Sequence, residues 1–137
     1  MHIHCADFWV GLNTKGVKGL TIVDLRTVKN KDEAVLAIEE KMHGKNSSRL
    51  TTGNFDALED VMTDWFVDNW GHEKHIYILG GGNLVNLDVE LALNLVTIIE
   101  AAYLAAIYSV SQTPDIVDND VPVHKEINHT HISLILN

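Results

Sequence analysis

The chain has 137 residues, 46% of them hydrophobic, which is enough for one domain with a real core and excludes wholesale disorder. Its 19 Asp and Glu against 10 Lys and Arg give a net charge of −9. That balance disfavours direct binding to nucleic-acid phosphates and suits an encounter with a basic protein. Cys5 is the only cysteine, so no internal disulfide forms, and the expectation is a reducing, cytoplasmic setting. Residues Met1 to Asp7 show neither a basic n-region nor a long apolar h-region, so no signal peptide is expected there.

Residues 1–19 read as an N-terminal addition to a core that spans 20–137. His2, His4 and Ala6 alternate with Ile3 and Cys5, a pattern that permits a short strand. Leu20 to Leu25 is apolar and β-branched, and predicts a firm strand. Asn30, with Glu33 three residues on, resembles a capping box and opens a helix whose Val35, Ile38 and Met42 share a face. Gly44 is its expected stop, and the polar residues from Lys45 to Gly53 form a loop. A second helix follows from Asn54 and ends near Asn69 to Gly71. His75 to Leu79 is the next strand, and Gly80-Gly81-Gly82-Asn83 reads as a flexible turn after it. It matches no phosphate-binding fingerprint. Asp88 caps a long helix from Val89 to about Ser109. Within it, Asn94, Thr97 and Glu100 make one narrow polar stripe, which predicts a largely buried helix rather than a membrane span. Residues 112–128, with Pro114 and Pro122, read as a long exposed loop, and Thr130 to Leu136 is the last strand. Strands separated by helices imply an α/β fold: a small parallel sheet of about three strands with helices packed on it.

The helix after Asn54 carries the strongest chemical signal. At 3.6 residues per turn, Phe55, Leu58, Met62, Trp65 and Phe66 share one face. Asp56, Asp60 and Asp64 recur every four residues on nearly the opposite face. Like charges so spaced cost a few tenths of a kcal/mol per pair. Asn54 can cap the first turn, where the helix dipole also favours Asp56, but Asp60 and Asp64 gain nothing from it. A solvated acidic face explains such a column without any function. A contact face for a basic partner explains it as well.

The run Asn54-Phe55-Asp56-Ala57-Leu58-Glu59-Asp60, with Trp65 beyond it, resembles the second helix of the barstar family of ribonuclease inhibitors. The element order from Leu20 to Asn137 is similar too. The resemblance implies a barstar-like fold and an inhibitor, not an enzyme, that needs no cofactor. Asp56 and Asp60 match the family's two helix aspartates, which would take the place of substrate phosphates among the enzyme's Arg, Lys and His groups. Thr52-Gly53 stands where the family often has Tyr-Gly, and Glu59 stands where it often has Trp. Both departures remove aromatic anchors and widen the expected partner to any basic ribonuclease or other basic toxin. The implied contact set is Thr52, Gly53, Asp56, Glu59, Asp60 and Asp64, with Glu100 on the long helix similar to an acidic residue at the family's interface border. Trp65, on the apolar face, reads as core.

Two further readings compete. His2 and His4 share a strand face, as do His129 and His131, and two such strands side by side would form a Zn²⁺ or Cu²⁺ site for a metal-binding protein or metal-dependent enzyme. The bland alternative is surface histidines on edge segments. An acidic adaptor with no nuclease partner is the other. Nucleophilic catalysis has little support, because there is no G-x-S-x-G and Cys5 has no evident base.

Overall fold

The computed structural model describes residues 2–5, 19–42, 54–112, 117–118, 121–122 and 130–136. In chain order these form β1 (His2–Cys5), β2 (Leu20–Asp24), α1 (Lys31–Lys41), α2 (Phe55–Asp68), β3 (Lys74–Leu79), α3 (Gly81–Leu87), α4 (Val89–Gln112), β4 (Val117–Asp118), β5 (Val121–Pro122) and β6 (Thr130–Leu136). The protein is α/β. The three expected strands β2, β3 and β6 pair in parallel, and β1 adds a fourth strand in the order β1-β6-β3-β2.

That order explains why the described helices share one layer. The crossovers β2 to β3 and β3 to β6 step the same way along the sheet, and crossovers of one hand stepping one way return over one face. Val23, Ile76, Ile78, Ile132 and Leu134 point into that layer. They pack with Val35 and Ile38 of α1, Leu58, Met62 and Phe66 of α2, Leu84 of α3, and Leu95 and Ile99 of α4. The alternate residues Tyr77, Leu79 and Ile135 form a separate buried cluster with Leu20 and Ile22. Strand β3 is therefore buried on both faces, which is why Ile76 to Leu79 reads as an unbroken apolar run.

The helix starts are set by side chains. Asn30 accepts from the Glu33 N–H at 2.9 Å, while the Glu33 carboxylate accepts from the Lys29 N–H at 2.8 Å. Asn54 caps α2 by accepting from the Asp56 N–H, and Asp88 caps α4 by accepting from the Glu90 N–H, each at 2.9 Å. The Gly44 stop and the Lys45 to Gly53 loop lie outside the described residues.

Three expectations need correction. Gly80 to Asn83 is no flexible turn: it opens α3. Gly80 sits at φ 91°, and a Cβ built there would lie 2.5 Å from Arg26 N and Leu25 C. Asn83 then donates to the carbonyls of Leu25 and Val28 at 2.8 and 3.0 Å. The glycines permit close approach of two backbones, and Asn83 stitches them. Secondly, α4 is far from largely buried, with only 33% of its most apolar stretch inside. Leu91, Leu95, Ile98, Ile99, Ala102 and Ala106 face the core, while Val89, Leu93, Leu104, Ile107 and Tyr108 are exposed beside Thr97 and Glu100. It remains the one described helix long and apolar enough to cross a membrane. Thirdly, the expected loop after α4 contains the short antiparallel pair β4–β5, with Val117 opposite Pro122 and Asp118 opposite Val121.

Gly80→Ala should therefore lower unfolding stability by more than about 2 kcal/mol, because it combines a strained φ with a backbone clash. Gly81→Ala should cost less than about 1 kcal/mol. Its Cβ would meet chiefly the flexible end of Leu136 at 2.7 Å, and Ala favours the helix. Paired urea denaturation curves read the difference.

Candidate functional site

Helix α2 holds five acidic residues in 14 and no Lys or Arg. Its apolar side fixes its rotation. Leu58, Val61, Met62, Trp65 and Phe66 are all buried. Phe66 meets the Tyr103 ring edge-on at 5.6 Å, and Trp65 meets Phe66 in the same way at 5.6 Å. Thr63 donates to the Glu59 carbonyl at 2.8 Å and reaches the Ala102 carbonyl of α4 at 3.5 Å. These contacts leave one orientation for the rest of the helix. Asp56, Asp60 and Asp64 are exposed, Glu59 is half-buried, and Asp68, half-buried, continues the column by one more turn.

The electrostatics of this face are one-sided. The ion pairs Arg26–Asp24 at 2.7 Å and His75–Glu73 at 3.2 Å lie away from Asp56, Asp60 and Asp64. Asp64 is held above the ordinary carboxylate pKa, first by partial desolvation and then by the charges of Asp68 and Asp60. It sits just before the last turn, where the helix dipole favours cations and where α2 has none. At the other end, the Lys31 ammonium lies 4.6 Å from the centre of the Phe55 ring. The face is thus a row of carboxylates rising about 6 Å per step along the axis.

The structure brings only part of the expected set together. Asp56, Glu59, Asp60 and Asp64 share α2, whereas Thr52 and Gly53 lie outside the described residues. Glu100 is exposed on α4, but it borders a groove shared with Thr130 and Ile132 of β6 that no α2 residue lines. Ala102 and Tyr103 are among the α4 residues that meet α2. Glu100 therefore belongs to a different surface. Sequence reasoning missed Asp68, although it stands four residues beyond Asp64.

The histidines divide likewise. Strands β1 and β6 do pair, but the register sets His2 beside Ser133 and His4 beside Ile135. His131 instead pairs with His75 of β3, the rings stacked at 4.9 Å and 20°. His129 lies outside the described residues. Among the described residues no group of three or more His, Cys, Asp or Glu is placed to hold a metal ion. His75 was not singled out by the sequence, because the partner that gives it interest, His131, comes from a strand 56 residues away.

Comparison with known protein families, characterised proteins and solved structures finds no match. The resemblance to barstar-type inhibitors accordingly rests on the residues of α2 and on element order.

The raised pKa of Asp64 has a definite sign in stability. A carboxyl whose folded pKa exceeds its unfolded one favours the fold fully at acid pH, and that contribution is lost as pH rises through the folded pKa. Asp64→Asn should therefore stabilise the protein near pH 7 by a few tenths of a kcal/mol per like-charged neighbour relieved. The gain should vanish near pH 3, where the carboxyl is protonated in both states. Denaturation midpoints of the two proteins at both pH values measure it.

Proposed function

We propose that this protein is an inhibitor, of the kind that confers immunity to a toxin, and that it binds a basic ribonuclease or another basic toxin and blocks its active site with the carboxylates of α2. One observation carries the reading: within the run Asn54 to Asp60, the apolar side of α2 is clamped into the core, so that Asp56, Asp60 and Asp64 stand in a solvent-facing row without a cation beside them among the described residues. An isolated column of this kind costs stability, and a basic cleft is the environment that reverses the sign of that cost.

The mechanism follows from charge and geometry. A net charge of −9 steers a cationic partner towards the protein and raises the encounter rate at low salt. On docking, Asp56 and Asp60 take the positions of RNA phosphates and accept charge-assisted hydrogen bonds from Arg, Lys or His of the partner. The rigid helix supplies them pre-positioned, so little ordering entropy is spent at the contact. Glu59, on the flank of the row, adds charge where an aromatic anchor would add area. The lone cysteine is consistent with action in the cytoplasm, where a toxin meets its RNA target. This role requires no cofactor and no catalysis by the inhibitor.

The test is capture of the native partner from lysate of the source cells at low salt, with the Asp56→Ala/Asp60→Ala protein as parallel bait. The parent alone should retain a basic protein that cleaves RNA once separated. With that partner in hand, Asp60→Ala should weaken binding by about 30-fold or more, the usual effect of removing one member of a buried charge pair. Its folding stability should stay within about 0.5 kcal/mol of the parent, because the side chain is exposed. Equal affinity of parent and variant, or a retained protein that is not basic, would overturn the reading.

A further inference from the structure

The face of α4 turned away from the core has a chemistry that the α2 reading does not use. Val89, Leu93, Glu100, Leu104 and Ile107 recur at helical spacing along it. Leu93 and Leu104 are 63% and 65% exposed, and Tyr108 beside them is 68% exposed. Monomeric proteins rarely leave so long an apolar stripe open unless it meets something. The stripe also flanks two hollows. One, of about 290 Å³, lies between α4 and β6 with Ile99, Glu100, Tyr103 and Ile132 in its wall. The other, of about 160 Å³, is lined only by apolar surface, including Val85, Leu93, Val96 and Leu134. Both lie between α4 and β6, with Ile99 in the wall of each, so they follow one another along the α4–β6 seam.

Charge selects among occupants. In its 24 residues α4 carries Glu90 and Glu100 and no Lys or Arg. Glu100 sits midway along the stripe and has no ion-pair partner among the described residues. A second copy docked about the centre of this face would set Glu100 against its own counterpart, between two chains of net charge −9. A lipid surface is also a poor match, because α4 offers no basic residue to the headgroups and no Trp to the interface. What fits is an apolar helix that carries its own cation.

We propose that the α4–β6 groove is a docking site for an amphipathic helix of a partner protein, apolar along one face and bearing a Lys or Arg at its middle to meet Glu100. This is a helix-in-groove contact in which Leu93 and Leu104 supply apolar area and Glu100 fixes register and direction. It is separate from the α2 carboxylates and does not depend on their role.

The probe is a synthetic helical peptide of about 20 residues, long enough to run most of α4 at 1.5 Å per residue. It has Leu at positions three and four apart, Ala and Gln elsewhere, and a single central Lys, with a second peptide carrying Glu in its place. Fluorescence anisotropy should show the Lys peptide binding the full chain at least tenfold more tightly than the Glu peptide. Glu100→Lys should invert that preference. Leu93→Ser/Leu104→Ser, at two exposed positions, should abolish binding of both peptides. Asp56→Ala/Asp60→Ala should leave binding unchanged, which separates this site from α2. The proposal is overturned if Glu100→Lys leaves the preference intact, if neither peptide binds, or if the α2 variant loses the binding. Sedimentation equilibrium showing a dimer that Leu104→Ser dissolves would overturn it in favour of a second copy. Flotation of the parent with neutral phosphatidylcholine vesicles, without peptide binding, would overturn it in favour of lipid.

Discussion

The seam between α2 and α4 decides what this protein presents to solvent. Phe66 lies edge-on to Tyr103, Thr63 reaches the Ala102 carbonyl, and Leu58 and Met62 close over Ile76, Ile78 and their neighbours in the core. Burying side chains of this size contributes about 1.5–3 kcal/mol each. Repulsion between successive aspartates on the other side of α2 costs only a few tenths of a kcal/mol per pair. Packing therefore sets the rotation of α2, and the carboxylates take the direction that is left. The acidic row is a consequence of the apolar seam, held as rigidly as the core itself.

The same balance explains how a helix so poor in countercharge persists. Asn54 closes its first turn, and Asp56 there gains from the helix dipole. Asp64 gains nothing and is pushed towards its protonated form. Strain of this electrostatic kind is released by a cation brought from outside. Helix α4 carries a milder version, with Glu100 on an otherwise apolar exposed stripe. Two surfaces of one protein thus present carboxylates with no ion-pair partner among the described residues, Asp56, Asp60 and Asp64 in a polar row and Glu100 in an apolar stripe.

Local signals placed most of the fold. Asn30 with Glu33, Asn54, and Asp88 marked three helix starts that the structure shows as hydrogen-bonded caps. Thr130 to Leu136 was legible as a strand because β-branched and apolar residues run through it without a breaker. What failed was non-local. Gly80 to Asn83 read as a loose turn because the reason for the glycines, the backbone of Leu25 and Arg26, lies more than 50 residues earlier. The extent to which α4 is open could not be read from its composition, since apolar residues occupy both its faces and only the packing says which face is covered. Register was likewise invisible: the pattern of β1 and β6 allowed two pairs of histidines to meet, and the pairing sets His131 against His75 instead. For the candidate site, the row Asp56, Asp60 and Asp64 followed from periodicity alone, whereas the separation of Glu100 from it required knowing which α4 residues touch α2.

The measurement that addresses the central claim most directly is carboxyl footprinting of the complex with the native partner. Carbodiimide-activated labelling of Asp and Glu is read residue by residue by mass spectrometry, free and bound. If the α2 row is the contact, labelling of Asp56, Asp60 and Asp64 falls sharply on binding, while exposed carboxylates elsewhere, such as Asp32 and Glu33 of α1, keep their reactivity. Unchanged labelling along α2 in a complex that demonstrably forms would contradict the account.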